Sequence, residues 1–261
     1  MDIVDDKAPN IPALDKAFAV LDYITDSPKP LTAAQIAKDL GLPRSSTYRL
    51  LMALVQKGVL RKDENNVFYL GAYLLYWAGK FEQQENVIAL FHELILTEPV
   101  LMPHTVTLSS LDGERGEMVF LACHESPSPL GFTFRAGVRV PAVFAATGKA
   151  VLATLDFNEV RTMYADGLPP PLTQYGVAGF EQLRAEFESV QTTRMSLDDG
   201  QLREGMYCIG TYIRNSSGRA NVGVAVSFLK NEYQQKQAEV GAALISLAEK
   251  IERRLGFLGY S

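Results

Sequence analysis

The segment from Gly41 to Leu51, GLPRSSTYRLL, concentrates hydrogen-bonding groups: two arginines, three hydroxyl side chains and a tyrosine occupy a few neighbouring positions. Arginine presents a planar fork of donors that fits phosphate oxygens and guanine edges. Serine and threonine hydroxyls donate to phosphates, and a tyrosine can contact a phosphate or a thymine methyl. These side chains share the chemistry of duplex recognition, so the elements around them are expected to hold them outward.

Three other short patterns could carry chemistry. Thr147-Gly148-Lys149 is similar to the end of a phosphate-binding loop, but Val143 stands where the Walker pattern needs a glycine. Cys208 could be a nucleophile, but the sequence gives it no base, and a cysteine in an apolar strand usually belongs to the core. Cys123-His124-Glu125 could ligate a metal, but adjacent strand residues point to opposite faces. The sequence therefore predicts no catalytic residue, no metal site and no cofactor.

Composition and charge limit the class of protein. The 261 residues are 47% hydrophobic and 21% charged, which is typical of a globular chain with one large or two modest domains. The sequence has neither an apolar run long enough for a membrane span nor a secretory signal, and two cysteines make no disulfide framework. The net charge is −5, but residues 30–62 carry six basic residues against one acid. Such a patch can hold DNA, because salt screening limits the distance over which acidic residues elsewhere act to about 8–10 Å.

Apolar spacing predicts three helices in the first sixty residues. The first has apolar residues at three- and four-residue steps from Leu14 to Ile24. Thr32, with Gln35 three residues later, forms a capping-box pattern that starts a short second helix, and Gly41 follows that helix as a left-handed cap. A third helix begins near Arg44. A helix, a tight glycine-containing turn and a helix make a helix-turn-helix unit, in which the start of the second helix enters the major groove.

Two β-like runs follow the third helix, at residues 59–61 and 67–70, with a turn at 63–66. A hairpin directly after a recognition helix is a wing. The alternative is a three-helix bundle with a solvated charged face, but the capping box, turn glycine, arginine-rich helix start and wing occur together and in order. The residues expected to contact DNA are Arg44, Ser45, Ser46, Thr47, Tyr48, Arg49, Arg61, Lys62 and Asn66.

The N-terminal winged helix-turn-helix of IclR-type bacterial transcription regulators is similar to ALDKAFAVLDYITDSPKPLTAAQIAKDLGLPRSSTYRLLMALVQKGVLRK followed by FYLGAYLLYWAG. Their C-terminal domain is similar to RAGVRVPAVFAATGKAVLA and REGMYCIGTYIRNSSGRANVGVAVS. The resemblance covers nearly the whole chain. It implies a winged helix-turn-helix domain at 1–71, linker helices at 72–98, and a GAF-like effector-binding and oligomerisation domain at 99–261.

Periodicity places elements in the remainder of the chain. Residues 72–82, and then a longer run that ends at about residue 96, have the spacing of helices with broad apolar faces, which we expect to pack on another subunit. From Thr105 onward, alternation predicts strand pairs at 106–110 with 119–123 and at 207–213 with 222–228. Helical spacing returns at 147–155, 180–192 and 232–255. The predicted fold class is α+β, with an antiparallel sheet in the second domain.

The resemblance implies that the second domain binds a small organic acid. Backbone N–H groups at the start of the "GKA" helix, an acidic residue before the "CIA" cysteine, that cysteine and a final-strand serine would hold it. Asp199 could replace Asp198 if the register differs by one, and Ala225 replaces a serine of some members, which weakens the hold on a carboxylate. Phe134 and Phe144 are expected nearby. The residues expected to contact the effector are Phe132, Val140, Ala146, Thr147, Asp198, Met206, Cys208 and Ser227.

The function that these patterns predict is ligand-responsive DNA-binding regulation of transcription. We expect a repressor of a catabolic operon that a small organic acid or related metabolite releases. A cytoplasmic homodimer or homotetramer, without membrane contact, would present paired recognition helices to a roughly palindromic double-stranded DNA operator. Two alternatives stay open: an enzyme acting on a small metabolite in the C-terminal domain, and an architectural DNA-binding protein whose second domain only oligomerises.

Overall fold

The computed structural model describes residues 11–84, 86–127 and 134–257. The chain divides into two units, residues 1–84 and 85–261. Each unit has a hydrophobic core of its own. Within the described ranges, none of the helices combines the length and the apolar character needed to cross a bilayer.

The first unit is a small helical domain closed by a short antiparallel sheet. Its elements are α1 (Pro12–Asp26), β1 (Leu31–Thr32), α2 (Ala33–Asp39), α3 (Arg44–Gln56), β2 (Leu60–Lys62), β3 (Val67–Leu70) and α4 (Tyr73–Gln84). The central strand β3 pairs with β1 on one side and β2 on the other. The core residues are Val20, Leu31, Ile36, Leu51, Leu60 and Phe68.

Local sequence signals account for most of the first unit. The capping box of α2 forms as predicted: the Thr32 N–H donates to Gln35 Oε1 at 2.9 Å, and the Gln35 N–H donates to Thr32 Oγ1 at 3.4 Å. Gly41 has φ +63°, a left-handed conformation that glycine adopts without steric cost. The wing hairpin is confirmed as β2 and β3. Strand β1 is additional, because two residues are too few to show alternation in a sequence.

The second unit is an α+β domain, which confirms the predicted fold class. Its helices are α5 (Asn86–Ile95), α6 (Ala146–Leu152), α7 (Phe157–Met163), α8 (Phe180–Thr193) and α9 (Lys230–Arg254). Its strands are β4 (Thr105–Asp112), β5 (Glu117–His124), β6 (Arg139–Pro141), β7 (Ser196–Asp198), β8 (Met206–Arg214) and β9 (Ala220–Leu229). In the described residues these strands form one antiparallel sheet in the order β6-β5-β4-β9-β8-β7.

Strand alternation sends neighbouring residues of the central strands to opposite faces of this sheet. On one face, Val106, Leu108 and Val224 join a core cluster with residues of α5 and α9. On the other face, the Ser109 hydroxyl donates to Thr147 Oγ1 of α6 at 2.7 Å. The sheet therefore lies between a layer that contains α5 and α9 and a layer that contains α6.

Helix α5 departs from the expectation for the linker region. Val87, Ile88, Leu90, Phe91 and Ile95 are all buried in the core of the second unit. The apolar face of α5 is thus covered by its own chain and is not available to another subunit. Helix α4 belongs to the first unit and α5 to the second.

Candidate DNA-binding surface and effector cavity

The recognition tip, residues 44–49 at the start of α3, combines an uncapped helix end with an inward face that is anchored by Leu51. Pro43 is the N-cap residue, and no side chain in the described part of the chain caps this helix end. The first N–H groups of an α-helix have no partner inside the helix, so this end attracts anions. Leu51, one of the helix's inward residues, is fully buried in the first core and fixes which face points outward.

The recognition tip exposes most, but not all, of the side chains that the sequence assigns to DNA. Arg44, Ser45, Tyr48 and Arg49 are exposed. Ser46 is partly buried, and its hydroxyl donates to the Pro43 carbonyl at 3.0 Å.

Thr47 departs from its expected role as a phosphate donor. It is only 2% exposed, and its hydroxyl donates to the Pro43 carbonyl oxygen at 3.0 Å. Its hydrogen is therefore used within the chain. The reason is helical geometry: Thr47 lies one turn before Leu51, on the inward face of α3.

The wing places its basic residues beside the recognition tip. The Lys62 Nζ lies 5.7 Å from the centre of the Tyr48 ring, which joins β2 to the exposed face of α3. The Arg61 guanidinium covers the Tyr69 ring at 4.1 Å. Asn66 is exposed in the turn with φ +61°, a conformation that asparagine tolerates better than most residues. The structure thus brings Tyr48 and Lys62 together, although they are distant in sequence.

A small central cavity lies between α6 and the sheet of the second unit. Its volume is about 20 Å³, space for roughly one water molecule. Its lining residues are Thr107, Phe120, Phe134, Ala145, Ala146, Thr147, Asp198, Leu202, Met206, Cys208, Ala225 and Ser227. The structure therefore gathers most of the residues assigned to the effector around one point.

Asp198 supplies the carboxylate of the central cavity and is fully buried. Its Oδ1 accepts from the N–H groups of Gly200, Gln201 and Leu202 at 3.1, 2.7 and 3.3 Å. Its Oδ2 has no hydrogen-bond partner within the described ranges. Burial raises the pKa of Asp198 to about 6, and the nearby Lys149 ammonium and the three N–H groups oppose this rise. One oxygen of this carboxylate is thus available to a donor group.

A buried charged network lies behind Asp198. Lys149, 1% exposed on α6, pairs with Glu186 of α8 at 2.5 Å. The second oxygen of Glu186 accepts from the Gln201 side chain at 2.9 Å, and the backbone of Gln201 binds Asp198. The positive charge of Lys149 therefore favours the ionised form of the cavity carboxylate.

Cys208 and Ser227 face each other across strands β8 and β9, with their Sγ and Oγ atoms 3.3 Å apart. Burial and the Asp198 carboxylate raise the pKa of the Cys208 thiol. A neutral thiol is a poor nucleophile. This environment suits a hydrogen-bonding contact and does not support nucleophilic catalysis.

The start of α6 forms one wall of the central cavity. Thr147 is one of the lining residues, and its hydroxyl accepts from the Ser109 hydroxyl at 2.7 Å. A Cβ on Gly148 would lie 2.1 Å from the Ala142 carbonyl oxygen, so only glycine lets this helix approach the end of β6 so closely. Gly148 therefore serves close packing here.

Some expected residues are not at this cavity. Val140 on β6 packs against the cluster that contains Met118 and Phe144, and it does not line the cavity. Phe144 is fully buried in that same cluster. Phe132 lies outside the described residues. Phe134, expected only nearby, does line the cavity, and its ring lies 5.0 Å from that of Phe120.

Thr107 and Phe120 are cavity residues that the sequence analysis does not single out. Alternation on β4 could have indicated Thr107, because this residue lies on the same face of the strand as Ser109. Its cross-strand neighbour is Ala225, a pairing that fixes its place in the cavity but cannot be read from one sequence. Among the described residues, no three His, Cys, Asp or Glu side chains are grouped as metal ligands would be.

Comparison with known proteins identifies the family. The sequence model of the IclR helix-turn-helix domain matches residues 13–64, and the model of the bacterial transcriptional regulator IclR C-terminal domain matches residues 92–253. The chain belongs to the IclR family of bacterial transcriptional regulators. The first match includes the recognition tip and strand β2 of the wing, and the second includes every residue that lines the central cavity.

Relatives with this family's architecture match over nearly their whole length. The transcriptional repressor IclR of Escherichia coli K12 is 22% identical over 94% of this chain and 90% of its own. The crystal structure of the Agobacterium tumefaciens repressor BlcR is 37% identical, covers 96% of this chain and 99% of its own, and has a TM-score of 0.62. An IclR homologue from Microbacterium hydrocarbonoxydans, complexed with 4-hydroxybenzoate, is 20% identical with a TM-score of 0.73 and coverages of 93% and 98%.

Proposed function

We propose that this IclR-family regulator is a repressor that binds an operator through the recognition tip and the wing, and that an effector in the central cavity releases it. The observation that carries the proposal is the uncapped, arginine-bearing start of α3, which lies exposed beside Lys62. Two relatives, E. coli IclR and A. tumefaciens BlcR, are named repressors, which supports the direction of control. Such a protein would act in the cytoplasm, where the chromosome lies.

The proposed DNA surface divides its contacts by kind. Arg44 and Arg49 lie on the exposed side of the tip, where guanidinium groups can read guanine edges or bind phosphates. Ser45 and Tyr48 complete the groove-facing side. The wing residues Arg61, Lys62 and Asn66 would contact the neighbouring phosphates, which position the protein without reading sequence. Thr47 is left out because it is buried.

We propose that two copies associate through the first unit. The faces of α4 and α1 expose large apolar residues: Leu75 is 75% exposed, Tyr76 and Phe18 56% each, and Trp77 51%. Exposed apolar patches of this kind mark interaction sites, and a two-fold pair is the commonest assembly of soluble proteins. Such a dimer would set two recognition tips about one duplex turn apart, roughly 34–36 Å.

The effector proposed for the central cavity is a small organic acid that also carries a hydrogen-bond donor. The unpartnered Asp198 Oδ2 calls for a donor group, while the N–H groups at the start of α6 suit an anionic one. The neighbour that holds 4-hydroxybenzoate is complexed with a molecule having both groups. The effector releases DNA only to the extent that it binds one dimer geometry more tightly than the other.

The test of the DNA surface is a mobility-shift titration with the duplex upstream of the gene. Arg44→Ala and Arg49→Ala should each weaken binding by about 1–3 kcal/mol if these side chains read base edges. Arg115→Ala, which removes an exposed arginine from the β4–β5 turn, is the matched control and should bind like the wild type. Equal binding by all four proteins would contradict the proposal.

A further inference from the structure

A second concave site lies on the surface of the second unit. This arginine cleft has a volume of about 340 Å³ and lies between the ends of α6 and α8 and the β8–β9 hairpin. Its lining residues are Ala153, Thr154, Leu155, Val190, Gln191, Tyr212, Arg214, Gly218, Arg219 and Ala220, none of which lines the central cavity. Small-molecule sites typically have about 300–1,000 Å³. The arginine cleft is thus large enough for a ligand of its own.

Arg214 is a partly buried cation whose charge has no counter-ion. In residues 11–84, 86–127 and 134–257, Arg194 and Arg214 are the arginines that are only partly exposed. Arg194 pairs with Glu249 and Glu252 at 3.3 and 2.7 Å, whereas the Arg214 guanidinium takes part in no ion pair within these ranges. Glu252 does accept from the backbone N–H of Arg214, at 2.8 Å. A partly buried charge without an opposite charge is unfavourable, so an anion in the cleft would stabilise it.

The Arg214 guanidinium is held in place by aromatic rings. It lies 4.6 Å from the centre of the Tyr212 ring and 5.5 Å from that of Phe257, and its Nη2 donates to the Tyr212 hydroxyl at 3.0 Å. Rings stabilise a cation without neutralising it. Because an arginine carries five N–H donors in a fixed plane, most of its donors stay available at the edge of the group.

Arg219 brings a second positive charge to the arginine cleft from an ordered turn. Asn215 Oδ1 accepts from the backbone N–H groups of Ser217 and Arg219 at 3.0 and 3.1 Å, which fixes the hairpin that carries Arg219. Arg219 is exposed, and its side chain forms no ion pair with any residue that the structure describes. The residues that line the cleft include two arginines and no acid. This is a local reversal of sign in a chain with net charge −5.

We propose that the arginine cleft binds a small phosphate-bearing metabolite, with Arg214 and Arg219 on its phosphate. A phosphate monoester carries close to two negative charges on one group, which matches the charge of the two arginines that line this cleft. A monocarboxylate supplies half that charge. Arginine binds phosphate oxygens in a bidentate manner, and Gln191 adds an amide to the lining of the cleft. The chain would then sense a phosphorylated compound at a site separate from the central cavity.

The test is calorimetric titration of the full chain with inorganic phosphate at constant ionic strength, balanced with chloride. Saturable binding to one site per chain is expected. Arg219→Gln and Arg214→Gln should each weaken it about tenfold or more, because each loses a charge-assisted hydrogen bond. Arg253→Gln, which removes an exposed arginine of α9, is the control and should bind as the wild type does.

Several outcomes would overturn the proposal. The first is binding that never saturates, and the second is equal binding by the wild type and Arg219→Gln, a surface change that leaves the core intact. Succinate that binds as tightly as phosphate would show a site for dianions in general. If the wild type does not bind phosphate and Arg219→Gln binds duplex DNA more weakly than the wild type does, the two arginines contact DNA instead. A thermal melt of Arg214→Gln checks that this variant folds.

Discussion

The two oxygens of one carboxylate have different roles at the residue scale. Asp198 Oδ1 fixes the loop after β7 by accepting three backbone N–H groups, while Oδ2 is buried without a partner in the described residues. A buried polar atom without a partner costs roughly 1–3 kcal/mol. A ligand that donates a hydrogen bond to Oδ2 would remove this cost. The free energy recovered in this way would add to the affinity for the ligand.

The titration of Asp198 predicts how stability depends on pH. Burial raises its pKa in the folded chain from 3.8 to about 6. The folded state therefore binds this proton more tightly than the unfolded chain between about pH 4 and pH 6. The contribution of Asp198 to the free energy of unfolding is fully present below about pH 4 and is lost as the pH rises through about 6. The loss amounts to up to roughly 3 kcal/mol.

The variant Asp198→Asn removes this titration. Relative to the wild type, its free energy of unfolding should rise by up to roughly 3 kcal/mol between about pH 4 and pH 7, since only the wild type pays the cost of ionisation. Urea unfolding of both proteins across this range measures the difference. A difference that stays constant with pH would show that Asp198 is not the group that titrates.

Ser45 and Thr47 provide a matched pair on the recognition tip. Thr47→Val removes a buried hydroxyl that bonds Pro43, so we expect a loss of about 0.5–1.5 kcal/mol in stability and unchanged DNA affinity. Ser45→Ala changes an exposed hydroxyl, so its stability should hold while DNA affinity falls by about twofold to tenfold. Thermal melts and fluorescence anisotropy measure the two quantities. Equal loss of DNA affinity in both variants would place Thr47 in the interface.

Residue types alone indicate the groups proposed to contact DNA better than those that line the central cavity. The outward position of Arg44 and Arg49 follows from helical spacing against Leu51. By contrast, Asp198, Cys208 and Ser227 were assigned by family resemblance, because strand pairing decides which residues meet and pairing is not written in one chain's periodicity. Val140 was placed at the cavity in the same way, yet its strand β6 directs it to another cluster.

At the scale of elements, short-range signals set the ends of helices while long-range packing decides their partners. The capping box of α2 was readable because both of its partners lie within four residues. The burial of α5 within its own chain cannot be read in this way, because its apolar stripe suits α9 of the same chain as well as it would suit another subunit. Strands β1, β6 and β7 have two or three residues each, which is too short for alternation to appear.

The capping box gives a prediction for the first unit. Thr32→Ala should lower its stability by about 0.5–2 kcal/mol, since the first N–H groups of α2 lose their side-chain acceptor. DNA binding should weaken as well, because α2 supports the turn that presents α3. Thr25→Ala, an exposed position on α1, is the control. Denaturant unfolding compares the three proteins, and equal midpoints would mean that the cap contributes nothing.

At the scale of the whole molecule, the proposed regulation joins two chains. The exposed aromatic face of α4 supplies the surface proposed for pairing. Neither unit alone couples an effector to an operator, since the cavity lies in the second unit and the recognition tip in the first. The coupling free energy therefore requires both units of the chain.

Trp77→Glu tests the proposed pairing. A charge in the centre of an apolar interface should shift the protein to monomers in sedimentation velocity, and operator affinity should fall with it because two half-sites are no longer bound by one particle. Arg115→Glu, a charge reversal at an exposed position of the second unit, is the control. Dimers that persist in Trp77→Glu would rule out this face of α4.

The narrowness of the central cavity has a kinetic consequence. At about 20 Å³, it accommodates an effector only after its buried walls separate. If wall separation precedes entry, the observed rate of association should level off at high effector concentration, at the rate at which the walls open, instead of rising linearly. The response time of the regulator would then be set by the rate of this opening motion in its second unit and not by the concentration of the metabolite.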